Sequence, residues 1–433
     1  MKFWKYGRVA LALTGSIILG LSITCCGVYT SGYMYVTGAQ YSQIGAFKID
    51  HDFGYLTAVT GSPFASGGGD PVQEVVLPGG RFLAVVNKGS NNVSMFTIGG
   101  AGTLYFQQSY ATSGGQPVSI VLSASGTFMY VLDSVAPDGT GRGDITAFTI
   151  DSNTGKLTLI TNQNTFNTSG TQLPYFEVNY KPVQIITAGG FIYVLDTAYN
   201  VSGGQAANPD TPAGCFTSPT TEAACSTPDV FLYAVNSTNG QLTLTQNQPL
   251  TVAAQPGWLT TISTASAGKY VYIADTVGGS SSNIGQPGLV LPYTIGASGV
   301  LQTLVGGPVK NYTSSVYPDA VLANSNANFL YVANFGTGSV QQANSNISAY
   351  TIATNGQLQP VPTAQNPYTS GSGPIWLVED PTNQYLYSVN YNDNTITGAV
   401  IDATHGQLSN LLKGTTFATV GQPTFVAVTS RTY

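Results

Sequence analysis

The sequence predicts an all-β protein, a seven-bladed β-propeller made of four-stranded antiparallel blades. Three observations support this prediction. A six-residue strand pattern, represented by Phe329–Asn334, occurs seven times; a proline-led strand precedes its copies; and the chain lacks that first strand at its N-terminus but has an extra one at its C-terminus. Self-similarity on this scale is typical of repeat architectures, and four short strands per unit is the layout of a propeller blade.

The repeated strand, called strand b here, begins with an aromatic residue, has Tyr or Ala third, and ends in most copies with Asn or Asp. Its copies are Tyr33–Gly38, Phe82–Asn87, Phe128–Asp133, Phe191–Asp196, Tyr270–Asp275, Phe329–Asn334 and Tyr385–Asn390. The β-branched and aromatic content indicates a buried strand, and the terminal Asn or Asp can bond its own backbone and start a turn.

Three further strands complete each unit. Strand a starts at a proline in the order Pro71, Pro117, Pro182, Pro256, Pro318, Pro374 and Pro423. Strand c is an alternating segment such as Ile347–Ile352, and a glycine-containing turn leads into the short strand d. The first copy, at Tyr33, has no strand a before it, whereas Pro423–Thr429 has no strand b after it. We therefore expect the two ends to share one blade and close the ring.

The composition indicates a single β-rich domain over residues 27–433. Charged residues make up only 7% of the 433-residue chain, against roughly 25% in average proteins. The net charge of −6, with 13 basic residues, gives little support for nucleic-acid binding. No heptad or helical period is present, so we expect almost no helix, and no motif calls for a cofactor.

Residues 1–26 have the pattern of an export signal. Lys2, Lys5 and Arg8 precede an apolar segment, and Ile23–Gly27 resembles a bacterial lipobox in which Cys26 would be lipidated. We expect an exported lipoprotein of the bacterial cell envelope, in the periplasm or on the outer surface, held on a membrane by this anchor. An ordinary cleaved signal peptide is the alternative.

The insertions lie between strands b and c and between strand d and the next strand a. The b–c insertions are 134–143, 197–229, 276–288 and 335–344. Both kinds of connection are expected at one end of the ring, called the loop face here, where binding or catalysis is usual. The longest, 197–229, contains Cys215 and Cys225; in an exported chain they favour a disulfide, with a zinc site as the alternative.

The two histidines favour turn positions over catalysis. His51 and His405 fall in c–d turns at the end of the ring opposite the loop face. A Ser-His-Asp set or a histidine metal site therefore has no support, and we expect no metal. The Asn and Asp residues that end strand b could bind calcium, although bonding to the b–c backbone is the simpler interpretation.

The loop face is left with charges and aromatic residues. Trp258, Trp376 and Phe425 each lie two positions after a strand-a proline, which predicts either an aromatic platform at the channel mouth or packing between blades. The charged candidates on this face are Lys88, Arg142, Lys181, Lys310, Asp70, Glu177 and Asp319.

Tyr331–Asn334 and its relatives resemble the YVTN repeat of bacterial propellers. Together with the proline strand and the segment Ile347–Ile352, they make the unit similar to the seven-bladed lactonase family, which includes 6-phosphogluconolactonase-like enzymes. The resemblance covers Tyr33 to Arg431 and implies lactone hydrolysis. Members whose mechanism is understood use a His, Arg and Glu cluster, and this chain supplies no histidine from the loop face.

Two functions are consistent with these observations. The first is a binding module that recognises a glycan or a protein through the loop face, with Trp258, Trp376, Phe425, Arg142, Lys88 and Asp70 as contacts. The second is a lactone hydrolase that uses Glu177 or Asp319 with Lys181 or Lys310.

Overall fold

Seven antiparallel sheets form the seven blades of a closed propeller, as the sequence predicts. The computed structural model describes residues 29–139, 141–167, 169–178, 181–196, 229–249, 258–265, 268–276, 287–312, 314–336 and 345–430. Within them the one helix is a single 3-10 turn at Lys88–Ser90. None of the described helices is long and apolar enough to cross a membrane. The predicted leader with Cys26, and the loop with Cys215 and Cys225, lie outside the described residues.

The strands follow one another blade by blade. Blade 1 contains β1 (Thr30–Gly38), β2 (Gln43–Asp50), β3 (Leu56–Ala58) and β4 (Phe64–Ala65). Blade 2 contains β5 (Pro71–Val76), β6 (Phe82–Asn87), β7 (Asn92–Ile98) and β8 (Leu104–Ala111). Blade 3 contains β9 (Gly115–Leu122), β10 (Phe128–Val135), β11 (Asp144–Ile150), β12 (Leu157–Ile160) and β13 (Phe176–Glu177). Blade 4 contains β14 (Pro182–Ala188), β15 (Phe191–Asp196), β16 (Asp229–Val235) and β17 (Leu242–Pro249).

The remaining blades repeat the pattern. Blade 5 contains β18 (Trp258–Ala265), β19 (Tyr270–Thr276), β20 (Leu289–Ile295), β21 (Leu301–Thr303) and β22 (Val309–Lys310). Blade 6 contains β23 (Pro318–Ala323), β24 (Phe329–Asn334), β25 (Asn346–Ile352), β26 (Leu358–Pro360) and β27 (Tyr368–Thr369). Blade 7 contains β28 (Pro374–Glu379), β29 (Tyr385–Asn390), β30 (Thr395–Ile401), β31 (Leu408–Asn410) and β32 (Thr416–Ala418). The last strand, β33 (Pro423–Ser430), joins blade 1.

The ring closes where the two ends of the chain meet. β33 pairs antiparallel with β1, with Ala427 opposite Tyr35 and Val428 opposite Met34. β33 is therefore the missing strand a of blade 1, as predicted. The inner strands contact one another around the ring, including β28 with β33 and β33 with β5. β1 thus pairs with β2 on one side and with β33 on the other, which removes an open sheet edge.

The outermost strand is interrupted in five blades, and this corrects the expected position of the d–a insertions. In blade 3, Ile160 of β12 lies opposite Ala147, and Phe176 of β13 lies opposite Ile145 on the same strand. The intervening residues therefore leave the sheet from the middle of its outer edge. Blades 1, 5, 6 and 7 have the same split outer strand. In these five blades the residues between the two halves of the outer strand therefore do not belong to the loop face, as far as the structure describes them.

The aromatic residue and the tyrosine of strand b hold neighbouring blades together. In blade 6 the hydroxyl of Tyr331 donates to the backbone oxygen of Gly406, in the c–d turn of blade 7, at 3.2 Å. Gly406 has φ of 69°, and a Cβ atom there would lie 2.3 Å from the ring of Phe329. Glycine is thus required both by its backbone conformation and by the ring that covers it.

This joint occurs in six of the seven blades. Its other members pair Tyr35 with Gly102, Tyr130 with Gly240, Tyr193 with Gly299, Tyr272 with Gly356 and Tyr387 with Gly54. The pair of Tyr387 and Gly54 connects blade 7 to blade 1 and so spans the closure. Blade 2 is the exception because Ala84 stands at the tyrosine position.

Candidate functional site at the mouth of the central channel

A cavity of about 400 Å³ opens at the loop-face end of the central channel. Its walls are the first residues of the inner strands. In blade 6 Pro318 pairs with Asn334 and Ala320 with Ala333, so Asp319 is an extra residue in the ladder. Such a bulge re-aims side chains, and the extra residues of several blades line the cavity. Phe335, which directly follows β24, and Tyr391, which directly follows β29, also line it. Their positions place the cavity at the end from which the b–c connections leave.

Aromatic side chains form one wall. The rings of Trp376 and Phe425 lie with their centroids 4.3 Å apart at an interplanar angle of 37°. Trp376 pairs with Val389 and Phe425 with Thr37, so both occupy the same position of their strands. Trp376 also packs against the apolar interior on both sides of blade 7. Trp376 thus lines the channel mouth and also packs between blades.

Trp258 does not occupy the equivalent position, contrary to the expectation. In β18, Leu259 pairs with Asp275 and Thr261 with Ala274. Thr261 is therefore the counterpart of Trp376, three residues beyond Trp258. Counting residues from Pro256 therefore gives the wrong counterpart of Trp376 in blade 5. The pairing register of the strands, and not the distance from the proline, determines which residues reach the channel. The side chain of Trp258 lies outside the described part of the structure.

Asp319 is the one carboxylate among the described residues of the lining. Its side chain is half-buried, and the described residues offer its carboxyl no hydrogen-bond partner. Burial raises the pKa of Asp319 to about 7 because the charged form loses hydration without gaining a partner. Within the described part of the chain, no Lys, Arg or His lines this cavity. The channel mouth thus combines an aromatic wall with one carboxyl that titrates near neutrality.

The other predicted site residues lie elsewhere. Glu177 lines a separate cavity of about 170 Å³ between blades 3 and 4, where its backbone oxygen accepts the hydroxyl of Tyr233 at 2.5 Å. Lys181 and Lys310 are exposed, and neither lines the channel mouth or this second cavity. Three more candidates are absent from the described channel lining: Lys88, Arg142 and Asp70. Arg142 is buried and lies 3.9 Å from Asp138.

The histidines occupy the predicted turn positions. His51 lies between β2 and β3, and its Nδ1 is 3.1 Å from Asp52. His405 lies between β30 and β31, and its Nδ1 is 2.9 Å from Asp402. Each is therefore at the end of the ring opposite the cavity.

The residues that end strand b tie it to strand c through side chains. The amide nitrogen of Asn334 donates to Asn346 Oδ1 and Ser348 Oγ, both at 2.9 Å. In blade 3 two acids occupy this position, with Asp133 opposite Asp144. Burial raises the pKa of both carboxyls, and the charge of Asp133 raises that of Asp144 further. Among the described residues no three metal-ligating acids, histidines or cysteines come together.

Sequence reasoning missed the polar wall of the cavity. Gln73, Ser119 and Gln184 line it from blades 2, 3 and 4. The available signal was the second residue after the strand-a proline, which is Gln, Ser and Gln in these blades. These side chains are neutral, so a pattern of charged residues does not reveal them, although they line the same cavity.

Comparison with known proteins identifies the family. The family model for the lactonase 7-bladed beta-propeller matches residues 28–169 and 296–428, more than half of the chain. No curated protein sequence matches the chain.

Several solved structures share the fold. A protein from Bacteroides fragilis, for which 6-phosphogluconolactonase activity is proposed, has a TM-score of 0.63 at 17% identity, covering 93% of this chain and 98% of its own. A protein from Lactobacillus plantarum has a TM-score of 0.64 at 16% identity, covering 93% and 100%. The periplasmic gluconolactonase of Pseudomonas aeruginosa has a TM-score of 0.61 at 14% identity, covering 93% and 99%. At these identities the similarity shows the fold alone.

Proposed function

Since the chain belongs to the lactonase family of seven-bladed β-propellers, we propose that it hydrolyses a lactone at the loop-face mouth of its central channel. The observation that carries this proposal is Asp319, a carboxyl in the channel wall with no hydrogen-bond partner among the described residues and a pKa raised to about 7. A general base is most effective when its pKa lies near the working pH. Family membership supplies the class of reaction, and Asp319 supplies a group able to perform it.

The reaction needs a base and a water molecule. Asp319 in its charged form accepts a proton from water, whose oxygen then forms a bond to the lactone carbonyl carbon. The tetrahedral intermediate collapses as the ring carbon–oxygen bond breaks, and the protonated Asp319 returns its proton to the departing oxygen, giving an open-chain hydroxy acid and the charged carboxylate again. The tilted rings of Trp376 and Phe425 offer an apolar wall for the C–H face of a lactone ring.

The charge of the cavity favours an uncharged substrate. A phosphate group is usually bound by arginine, lysine or a helix N-terminus. The described lining contains none of these and instead carries the negative charge of Asp319. The Pseudomonas aeruginosa protein that shares the fold is a gluconolactonase. An unphosphorylated sugar lactone also matches a cavity whose described lining has no cation. We therefore propose a neutral sugar lactone in place of a 6-phosphorylated one.

The experiment compares two substrates and three proteins. Purified protein is assayed with glucono-1,5-lactone and with its 6-phosphate, by base uptake at neutral pH. We expect the neutral lactone to be the better substrate and Asp319→Asn to lower kcat/KM by about 10²–10⁴-fold. Asp52→Asn removes an exposed carboxyl at the opposite end of the ring and should have no effect. Equal activity of Asp319→Asn and the unsubstituted protein would contradict the assignment.

Ligand binding without chemistry is the second candidate. The observation that favours it is the lack of any described histidine or cation at the channel mouth, since the family members with a known mechanism use a His, Arg and Glu cluster. This function would be supported if the unsubstituted protein binds a neutral sugar and hydrolyses no lactone, and if Trp376→Ala binds that sugar more weakly. The thermal melting point of Trp376→Ala must be unchanged, because this side chain also packs between blades.

Export and anchoring complete the proposal. The basic and apolar leader and the segment Ile23–Gly27 support lipidation of Cys26 at the bacterial envelope. Cys26→Ser should then move the protein from the membrane to the soluble fraction. Cys215 and Cys225 are proposed to form a disulfide in this oxidising location, so both should resist alkylation until reduced.

A further inference from the structure

The polar wall of the channel contains two glutamines whose orientation is determined by the neighbouring blade. Gln73 Oε1 accepts the backbone N–H of Ile120 at 2.8 Å. Gln184 Oε1 accepts the backbone N–H of Ile262 at 2.8 Å and the hydroxyl of Thr261 at 3.0 Å. Both side chains are nine-tenths buried or more, with exposed fractions of 9% and 8%. Each glutamine thus uses its carbonyl end to join two blades.

The orientation of each amide follows from this contact. A backbone N–H can only donate, so the atom that faces Ile120 or Ile262 must be the carbonyl oxygen of the glutamine. The NH₂ group of the same amide then has to point away from the joint. The described residues offer the Nε2 atom of Gln73 or Gln184 no acceptor, and both residues line the cavity. Two fixed donors are therefore left for whatever occupies the channel mouth.

Their position in the ring places them apart from the carboxyl. Gln73 belongs to blade 2 and Gln184 to blade 4, whereas Asp319 belongs to blade 6, followed by the aromatic wall of blades 7 and 1. In a ring of seven, blade 2 lies across the channel from blade 6, and blade 4 lies two positions away from it. A small ring in the cavity can thus meet an acceptor on one side and donors on the other.

We propose that Gln73 and Gln184 are the donor residues of the site, whose amide N–H groups bind the carbonyl and hydroxyl oxygens of a neutral lactone. This inference rests on the proposed function, because it assigns the oxygen-binding groups of the same site. Donors that are already oriented need not reorganise as negative charge develops on the carbonyl oxygen, and this is where such groups contribute most. Neutral donors also match an uncharged ligand in a cavity without described cations.

The experiment uses two replacements of Gln184 and one control. Gln184→Glu keeps the length and the oxygen that accepts from Ile262 and Thr261 but loses the NH₂ group. Gln184→Met loses both ends without adding charge. The control is Gln241→Met, since Gln241 is also a buried glutamine at a blade joint, with Oε1 accepting from Gln163 at 3.0 Å and Nε2 donating to Thr161 at 2.7 Å. Both ends of Gln241 are occupied, so it has no donor to offer a ligand.

Each protein is assayed for glucono-1,5-lactone hydrolysis, for binding of the matching gluconolactam by titration calorimetry, and for thermal melting. We expect both Gln184 variants to lose about 10²-fold in kcat/KM and to bind the lactam at least tenfold more weakly. Gln184→Glu should melt close to the unsubstituted protein. Gln241→Met should melt lower and retain full activity per folded molecule.

The outcomes separate this inference from the proposed function. Hydrolysis and lactam binding that are unchanged in both Gln184 variants would overturn the donor assignment and leave lactone hydrolysis intact. Lactam binding that depends on Gln184 in a protein that turns over no lactone would support the donors and contradict hydrolysis. An unsubstituted protein that neither binds the lactam nor hydrolyses the lactone would overturn both.

Discussion

The hydroxyl group of Tyr331 shows how a single atom contributes to the joint between two blades. It donates to the backbone oxygen of Gly406 and is fully buried. Tyr331→Phe keeps the ring and leaves that oxygen without its donor, so we expect the free energy of unfolding to fall by about 1–3 kcal/mol. Tyr41→Phe is the matched control, because Tyr41 is 66% exposed. Equal melting points for both variants and the unsubstituted protein would show that the hydroxyl contributes nothing.

The buried pair of Asp133 and Asp144 should make the free energy of unfolding depend on pH. Both carboxyls are buried and have raised pKa values, so the folded state retains protons that the unfolded state releases above its pKa of about 4. Stability from this pair is therefore complete at low pH and is lost as pH rises through the raised pKa values. Asp144→Asn replaces one of the two carboxyls with a neutral amide, the side chain that Asn346 has at the same position of blade 6, and should make unfolding less dependent on pH.

Denaturant titrations at several pH values test this expectation. Asp144→Asn should gain about 1–3 kcal/mol over the unsubstituted protein at alkaline pH and little at acid pH. Asp138, Arg142, Tyr175 and Glu177 lie around the pair and are left unchanged. The same pH dependence in both proteins would mean that the raised pKa values of this pair do not govern stability.

Among the strands, β33 is expected to contribute more to stability than its eight residues suggest, because it closes the ring. Deleting 423–433 removes strand a of blade 1, exposes the edge of β1 and removes Phe425 from the channel wall. The loss should exceed the roughly 2–5 kcal/mol that truncating one large core side chain costs, and the exposed edge should promote aggregation. Deleting only 431–433 leaves β33 whole and is the control. Melting points that agree between the two truncated proteins would exclude a role of β33 in closure.

At the scale of the whole molecule, the sequence repeat predicted the fold because its recurring residues make the same contacts in successive blades. The aromatic residue, the tyrosine and the turn glycine recur because six of the seven joints between blades use them. Blade number and closure could therefore be inferred from the sequence. The site was predicted less well. Trp258 and Trp376 follow their prolines at the same spacing, but only the ladder register reveals that Thr261 is the counterpart of Trp376.

The charged candidates illustrate the same limit. Asp319 reaches the channel because a bulge follows Pro318, while Glu177 lies in the split outer strand of blade 3. The sequence places both residues near the loop face, but it does not show whether a residue lies on the innermost strand or on the outer edge of its blade. Gln73 and Gln184 carry no charge, and their donor role depends on contacts with the next blade that a single repeat does not contain.

The pH dependence of kcat/KM for glucono-1,5-lactone tests the central claim most directly. If Asp319 acts as the base, activity requires its charged form, so kcat/KM should rise about tenfold per pH unit below neutrality and level off above a midpoint near the pKa of about 7. Asp319→Asn should lose both the activity and this midpoint, while Asp52→Asn keeps them. A profile that is flat from about pH 5 to 8, or a midpoint that persists in Asp319→Asn, would contradict the account.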